Sequence, residues 1–399
     1  MNNSKIKQIE FIAMMASLMA LSSLSMDALL PAVNVIGESI GATSQTQGQQ
    51  LVTMMFLGLG VGQLFTGALS DAMGRKPVIY MGFALFSLAS IASIFSPNYE
   101  VMIISRFIQG FGVSAPKAVS IAIVRDSYSG DRMAKIMSFI SVVFIIIPTV
   151  APSYGMFFLK WFGWQSIFTS QIVFAVIVCL WIAARQYETL PLDERTPFKF
   201  TALVRSIRYF FGQKESVLYT VALGMLTGAF LVFLSTAQNI LGVQYGLEEM
   251  FPKLFALVAM AMGVSTLMNG FVVEKIGAGK LISISSLFFT LISLLYIFIF
   301  YGEGNPPIKV LLFFLVLQFS TMGFLFGNLS SLAMEPLGKI AGMGAAINGS
   351  LSTVIAVPIA SFIGYYVVDT TYPLFVGFAA SGTIAIILVW GKRYWVGGS

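Results

Sequence analysis

The segment Gly67-Ala-Leu-Ser-Asp71-Ala-Met-Gly74-Arg75-Lys76-Pro77 has a counterpart 203 residues later, in the segment Gly270-Phe-Val-Val-Glu274-Lys275-Ile-Gly277-Ala-Gly279-Lys280. Each segment joins two long apolar stretches, and each places a glycine three residues after an acidic side chain. An acidic residue at the end of one helix and a basic residue after a glycine turn can hold neighbouring helices together. Recurrence at a constant offset indicates an internal repeat, so the sequence predicts a chain built from two related halves.

The composition places these halves in a membrane. Of the 399 residues, 57% are hydrophobic and only 10% are charged, whereas soluble domains carry about 25% charged residues. A single cysteine, Cys179, excludes a disulfide scaffold and a cysteine-based metal site, and the absence of histidine removes His-dependent triads and histidine-rich zinc sites. We therefore expect a membrane protein without a metal or cofactor, in which carboxylates are the groups that titrate.

Twelve stretches are long and apolar enough to cross the roughly 30 Å hydrocarbon core of a bilayer as helices. Their predicted limits are 11–33, 49–70, 78–96, 101–124, 136–158, 164–184, 216–240, 253–273, 280–300, 308–333, 340–367 and 373–391. The first is too long for a signal-peptide core and lacks a cleavage site, so we expect it to be retained. A charged connection over 186–215 separates residues 1–185 from 216–399. The expected fold class is an all-α polytopic membrane protein of two six-helix halves.

The distribution of lysine and arginine orients these spans. Eighteen of the 23 basic residues fall in loops on the side of the two termini, three fall on the other side, and Arg106 and Lys117 lie inside spans. Cytoplasmic loops carry such an excess, so we expect both termini in the cytoplasm. The net charge of +6 is scattered over these loops and forms no dense stripe, which argues against nucleic acid as a partner.

Four motifs in the first 170 residues carry a resemblance to a known family. They are the 67–77 loop, Arg106-Phe-Ile-Gln109-Gly110-Phe-Gly112 in the fourth span, Pro148-Thr-Val-Ala151-Pro152-Ser-Tyr-Gly155 in the fifth, and Asp27-Ala-Leu-Leu-Pro31 in the first. Together they resemble motifs of the major facilitator superfamily and, within it, of the Bcr/CflA drug-resistance exporters, which are twelve-span drug/proton antiporters. Ala151 and Met156 stand where the antiporter motif of that family usually has glycine.

This resemblance implies the major facilitator fold, a location in the bacterial inner membrane, and efflux of small molecules in exchange for protons. It also implies that residues of the loop and of the fifth span gate the conformational change. These residues are Gly67, Asp71, Gly74, Arg75, Lys76, Pro148, Pro152 and Gly155. We expect a monomer.

Charged residues inside the predicted spans are candidate functional groups, because each costs about 2.5 to 3.5 kcal/mol to insert. Asp27 and Arg106 lie at similar depth, so we predict that they form an ion pair and couple transport to protons. Pro31 cannot donate to the carbonyl group of Asp27, which predicts a kink at that point. The alternative is a permanent salt bridge that only fixes two helices.

Lys117 lies eleven residues after Arg106, which places both on one face of the fourth span. Together with Asp27 they would leave a cavity with a net charge of +1, which favours an anionic or neutral substrate. Alternatively, Lys117 extends to the aqueous boundary and plays no part in binding. The expected substrate-binding set is Asp27, Arg106, Gln109, Lys117, Gln238, Asn239 and Gln318, although the amides could equally bond neighbouring helices.

The leading hypothesis is a proton-coupled exporter of small amphipathic molecules that works by alternating access of the two halves. The nearest alternative is an exporter of an endogenous anionic metabolite such as a carboxylate siderophore. An enzyme would need catalytic groups that the sequence lacks, and a channel would be expected to contain charged rings or a repeated filter sequence. The expected partners are therefore a small-molecule substrate, protons and the lipid bilayer.

Overall fold

The structure is a computed structural model that describes residues 2–391, and within that range the chain is helical and contains no strand. Lys392 and Arg393, which contribute to the predicted orientation, lie outside the described residues. We number the twelve long helices in chain order: α1 Asn2–Asp27, α2 Gln45–Met73, α3 Arg75–Ile94, α4 Tyr99–Ser127, α5 Gly130–Phe162, α6 Gln165–Arg185, α7 Lys214–Ala237, α8 Phe251–Ile276, α9 Ala278–Ile299, α10 Ile308–Met334, α11 Ala341–Tyr366 and α12 Tyr372–Trp390.

The twelve predicted spans correspond to these helices one for one, so the predicted fold class is confirmed. Ten stretches of the described chain have the length and apolarity of a membrane span. One of them, Ile308–Tyr366, contains both α10 and α11, and α5 is not among the ten. Several helices begin before the predicted limits, because a helix can continue past the hydrocarbon boundary while its backbone groups stay hydrogen-bonded.

The first helix of each half ends in an irregular turn. α1 stops at Asp27, and the chain continues through a 3₁₀ turn, Leu30–Ala32, into a short helix, Val33–Ser39. The interruption lies where Pro31 predicts a kink, and the missing N–H breaks the helix there rather than bending it. The predicted span 11–33 is confirmed, within a candidate span of Gln8–Ser39. α7 passes at Ala237 into a π-helical segment, Gln238–Gln244. Broken helices and π-turns concentrate at functional sites.

The chain forms two compact units. One contains the residues up to Ala42 together with Met54–Leu203, and the other contains Thr43–Thr53 together with the residues from Val204 onward. The division at Val204 falls inside the predicted connection 186–215, whereas the assignment of the first turns of α2 to the second unit was not predicted. Below, α1–α6 are called the N-terminal half and α7–α12 the C-terminal half.

The connection between α6 and α7 is more ordered than its polar composition indicates. It contains a 3₁₀ turn, Leu192–Glu194, and a helix of 13 residues, Phe200–Gly212. α7 begins at Lys214, with a single residue between the two helices. The helix Phe200–Gly212 was not predicted, because its apolar residues are too few for a span and are interrupted by arginines.

The repeated segments form the same turn in both halves. Gly74 alone separates α2 from α3, with a φ of 101°, and Gly277 alone separates α8 from α9, with a φ of 88°. L-residues with side chains rarely adopt these angles, so both turns require glycine. Gly67, by contrast, lies within α2 beside open space, which means that only the second glycine of the motif makes the turn.

Candidate functional site

The carboxyl group of Asp27 lies at the broken end of α1. The residue is 5% exposed, and its Oδ2 accepts a hydrogen bond of 2.9 Å from Ser23 Oγ, one turn earlier in the same helix. Intramembrane carboxyl groups are costly and are concentrated on proton and ion pathways. Because the backbone is already irregular here, a change of charge can be linked to a change of backbone conformation without disrupting a regular helix.

α5 contacts this break through Gly155. A Cβ atom at that position would overlap the carbonyl group of Ala28, the residue that follows Asp27. Only glycine allows two backbones to approach so closely. Pro152 is buried and Pro148 is half-buried on the same helix. The structure therefore brings the proline-glycine motif of α5 next to Asp27.

The guanidinium group of Arg106 is fully buried in the N-terminal half. Its Nη1 donates to Gln109 Oε1 at 2.6 Å, and its Nη2 donates to the carbonyl oxygen of Ser25 at 3.3 Å. Gln109 donates in turn from Nε2 to the hydroxyl groups of Ser90 and Ser93, both at 3.1 Å. This network joins α1, α3 and α4, and it supplies the hydrogen bonds without which a buried charge is strongly destabilising.

The predicted direct ion pair between Asp27 and Arg106 stays a prediction. The carboxyl group of Asp27 accepts from Ser23 Oγ, and Arg106 also reaches α1, where it donates to the carbonyl oxygen of Ser25.

Lys117 lies on the same helix as Arg106, because α4 continues without interruption through Pro116. Eleven residues make about three turns, so the two side chains leave α4 on one side and lie about 16 Å apart along it. The Lys117 side chain is half-buried. The structure thus brings Arg106 and Gln109 together and leaves Lys117 further along the helix.

The C-terminal half contains a related but uncharged cluster. Gln318 of α10 is fully buried and donates from Nε2 to Ser293 Oγ at 2.8 Å and to the carbonyl oxygen of Phe289 at 3.1 Å, both in α9. Its Oε1 has no hydrogen-bond partner among the described residues. Ser293 follows Ser90 by 203 residues, the offset that relates the two loops, whereas Gln318 follows Gln109 by 209, because α9 and its loop are longer than α3 and its loop.

Gln238 and Asn239 begin the π-helical segment after α7. Asn239 Nδ2 donates to the carbonyl oxygens of Val367 and Val368, both at 3.1 Å, which ties this segment to the chain after α11. Two side-chain oxygens, Gln238 Oε1 and Asn239 Oδ1, are buried and have no partner in residues 2–391. Each is a candidate acceptor for a donor group of a ligand.

The loop between α2 and α3 holds a second charged cluster, centred on Arg75. Its Nη1 donates to Asp71 Oδ1 at 2.5 Å and its Nε to Asp126 Oδ2 at 2.9 Å. The carboxylate of Glu188, which follows α6, accepts from the backbone N–H groups of Arg75 and Lys76 at 2.8 and 3.0 Å. A carboxylate at this place stabilises the N-terminus of α3. The cluster connects α2, α3, α4 and the segment after α6.

The corresponding loop of the C-terminal half is not connected in this way. Ala278 stands where Arg75 stands in the N-terminal half, and Glu274 and Lys280 are exposed. The turn is therefore repeated but the charged cluster is not, because the side chain that joins the carboxylates is absent.

Sequence reasoning missed Ser90, Ser93 and Glu188. The repeat test could have found Ser90, because Ser293 follows it at the offset of the loops. Glu188 contacts a backbone group 113 residues earlier in the chain, and no local pattern indicates such a contact.

The groups that can act on a ligand in the N-terminal half are a carboxyl group that can bind a proton, at Asp27, and hydrogen-bonding groups at Arg106 and Gln109. Across residues 2–391, no three acidic or cysteine side chains are grouped so that they could hold a metal ion. The acidic groups of the loop cluster face the Arg75 guanidinium and backbone N–H groups instead.

A family model described as Major Facilitator Superfamily matches residues 15–361. The chain is 26% identical to the bicyclomycin resistance protein homolog of Haemophilus influenzae, over 94% of this chain and 94% of that protein. It is 27% identical to the uncharacterized MFS-type transporter YdgK of Bacillus subtilis, over 88% of this chain and 87% of that protein. It resembles the crystal structure of a D-xylose-proton symporter with a TM-score of 0.74 and 15% identity, over 98% of each chain, a likeness that concerns the fold alone.

Proposed function

Since this chain belongs to the major facilitator superfamily, we propose that it exports small amphipathic drugs in exchange for protons. Membership makes it a multi-pass membrane transporter and not an enzyme, in agreement with the sequence. Export of drugs is supported by the bicyclomycin resistance protein homolog, which this chain matches over nearly its whole length. Export of an endogenous anionic metabolite is not favoured by these relatives.

The observation that carries proton coupling is the buried carboxyl group of Asp27 at the break of α1. A neutral carboxyl can lie in an apolar environment, whereas a carboxylate there needs water or a compensating charge. The protonated carboxyl group therefore favours a dry environment at the end of α1, and the carboxylate favours a hydrated one. Because Ala28 lies directly against Gly155, a displacement of this end is transmitted to α5.

Each half, taken by itself, offers polar groups that could bind a substrate. In the N-terminal half, Arg106 and Gln109 form a rigid hydrogen-bonded group, and in the C-terminal half the buried oxygens of Gln238 and Gln318 offer acceptors. The two halves would move relative to each other in the transport cycle, each as a unit. The cluster around Arg75 supports the rigidity of the N-terminal half, because it joins three of its helices.

The test of coupling is Asp27→Asn in purified protein reconstituted into vesicles, with bicyclomycin as the substrate. The amide is close in shape to the acid but cannot release a proton, so we expect pH-driven transport to disappear while the protein still inserts. Glu38→Gln is the matched control, because it removes an exposed acid from the neighbouring short helix and should leave transport unchanged. Wild-type pH dependence in Asp27→Asn would contradict the proposed coupling.

We also propose that both termini lie in the cytoplasm of a bacterial cell, on the basis of the basic residues in the loops. A reporter enzyme fused after Ser399 should be active only on the cytoplasmic side. Activity on the opposite side alone would reverse the proposed orientation.

A further inference from the structure

The helix Phe200–Gly212 is not a membrane span, yet it exposes an apolar face. Its 13 residues are about 20 Å long, too short for the roughly 30 Å hydrocarbon core. Phe200, Val204 and Phe211 are nevertheless 63%, 48% and 54% exposed. At 100° per residue these three side chains project within about 40° of one another, so they form a single stripe.

A neighbouring face of the same helix fixes its orientation. Leu203 and Phe210 are 3% and 0% exposed, and they project about 60° to 80° from the position of Phe200. Because these two residues are packed inside the protein, the stripe of Phe200, Val204 and Phe211 is held on the outside.

The charges within this helix and at its two ends are all positive. Lys199, Arg205, Arg208 and Lys214 are exposed, and no acidic residue lies between 197 and 214, with Glu215 following in the first turn of α7. Arg205 and Arg208 project about 80° to 140° from Phe200, on the side of the stripe opposite to the buried face. The helix thus presents, in order around its axis, a buried face, an exposed apolar stripe and a basic face.

The position of the helix relative to the spans identifies what this surface meets. α7 begins at Lys214, one residue beyond the end of the helix, and it is long and apolar enough to span the membrane. The stripe therefore lies at the boundary where the chain enters the bilayer. A helix with an apolar stripe beside lysine and arginine binds in the interfacial plane of a membrane, and its cations are attracted to anionic headgroups.

We propose that the helix Phe200–Gly212 is a binding surface for the anionic lipids of the bilayer. Phe200, Val204 and Phe211 enter the boundary between headgroups and acyl chains. Arg205 and Arg208 contact lipid phosphate groups, with Lys199 and Lys214 at the two ends of the helix. The surface anchors the connection between the two halves to the membrane in a manner that depends on lipid charge.

The test uses the full chain with Cys179→Ser as background and a nitroxide attached to a single cysteine at Val204, at Phe211 or, as a control on the basic side, at Thr201. The protein is reconstituted into vesicles of phosphatidylcholine alone and of an equal mixture of phosphatidylcholine and phosphatidylglycerol. Collisions of each nitroxide with oxygen, which enters the bilayer, and with a water-soluble nickel chelate measure its depth.

In the mixed vesicles we expect the labels at Val204 and Phe211 to favour oxygen and the label at Thr201 to favour the nickel chelate. The double variant Arg205→Gln with Arg208→Gln should lower the ratio of membrane-bound to released helix roughly 25-fold, because each cation near an anionic surface contributes about fivefold. High salt should also lower the ratio of membrane-bound to released helix, because it screens the attraction between the cations and the anionic lipids.

Two results would overturn the proposal. Equal access of the nickel chelate to all three labels in both kinds of vesicle would place the stripe against water. Access that becomes low only when another protein is added would place the stripe against a protein partner. Equal burial in both kinds of vesicle, unchanged by the arginine substitutions, would remove the role of lipid charge. Amide hydrogen exchange of residues 200–212 in the unsubstituted chain, which we expect to be slower with phosphatidylglycerol, tests the same point without any variant.

Discussion

The third and fourth long helices of each half are joined by a buried glutamine, but an arginine accompanies that glutamine only in the N-terminal half. Gln109 Oε1 accepts from Arg106, whereas Gln318 Oε1 has no partner among the described residues, and the position equivalent to Arg106 is Leu315. Both glutamines bond a serine of the preceding helix, at equivalent places. The amide contacts are therefore part of the repeated scaffold, and the charge is an addition to one half.

The loops at Gly74 and Gly277 differ in the same way, because the arginine is again present only in the N-terminal half. Gly74 and Gly277 form the same turn, yet only the first turn is followed by an arginine that joins two carboxylates. Charged groups are costly to bury in a membrane and mark functional sites there. We therefore extend the proposed function by assigning proton binding and its transmission to the N-terminal half, and substitutions that make the halves alike test this assignment.

The largest effect is expected for Arg106→Leu, which copies Leu315 into the N-terminal half. Each lost hydrogen bond to a charged group is worth about 1.5 to 3 kcal/mol, and about 1.4 kcal/mol is tenfold, so we expect transport to fall about a hundredfold. The melting temperature should fall as well, because the variant also loses the bonds that join α4 to Gln109 and to the Ser25 carbonyl oxygen of α1. Leu315→Met, a volume-conserving change at the equivalent position of the C-terminal half, is the control and should retain transport. Equal losses in both variants would remove the distinction between the halves.

The second effect concerns glycines at equivalent places of α5 and α11. Gly155→Ala should lower stability by about 2 to 3 kcal/mol, because its Cβ would overlap backbone of α1, which cannot move aside. Gly364, 209 residues later, is the control: a Cβ there would lie 2.6 Å from Gln49 Oε1, the end of a flexible side chain. Thermal unfolding in detergent should rank Gly155→Ala well below Gly364→Ala, and a reversed order would show that the contact with Ala28 is not tight.

The third effect concerns the loop cluster. Arg75→Ala copies Ala278 and removes the contacts with Asp71 and Asp126, so turnover should fall about tenfold, a change of about 1.4 kcal/mol. Asp71→Asn should slow turnover less, because the pair with Asp126 persists. Lys280→Ala, in the exposed loop of the C-terminal half, should have no effect on the initial rate of bicyclomycin transport. Unchanged turnover in Arg75→Ala would mean that the charged residues of this loop only orient the spans in the membrane and do not affect transport.

The smallest and most selective effect is expected for Lys117→Met, which replaces a half-buried cation where the C-terminal half has Phe326. Affinity for an acidic substrate should weaken by about 1.4 kcal/mol, or roughly tenfold, while affinity for a neutral substrate stays the same. Lys117→Arg should restore the affinity in part, because its planar group replaces a compact charge. Binding to purified protein measures both, and unchanged affinity for the acidic substrate would mean that Lys117 only extends to water.

The sequence predicted the twelve long helices because each is a long apolar run between charged or glycine-containing loops. It also predicted a kink next to Asp27, because proline acts locally, although the structure shows a break there. The bonds of Arg106 to Gln109 and to the Ser25 carbonyl were not predicted, because depth along a helix is a local quantity whereas the partners of a buried side chain depend on packing. Glu188 was missed because its contacts are with residues distant in sequence. The helix Phe200–Gly212 was missed because its apolar face is much shorter than a span.

The junction of α1 with Gly155 has a mechanical consequence. α1 has 26 residues and is about 39 Å long, and it is held at its end by a backbone contact that leaves no space for sliding. If α1 tilts, this tight contact makes Ala28 the pivot of the movement. A tilt of about 5° around this pivot displaces the opposite end of the helix by about 3 Å while Asp27, one residue from the pivot, moves by a few tenths of an ångström. A small local shift beside the carboxyl group is thus converted into a movement of nearly the size of a side chain on the other side of the membrane.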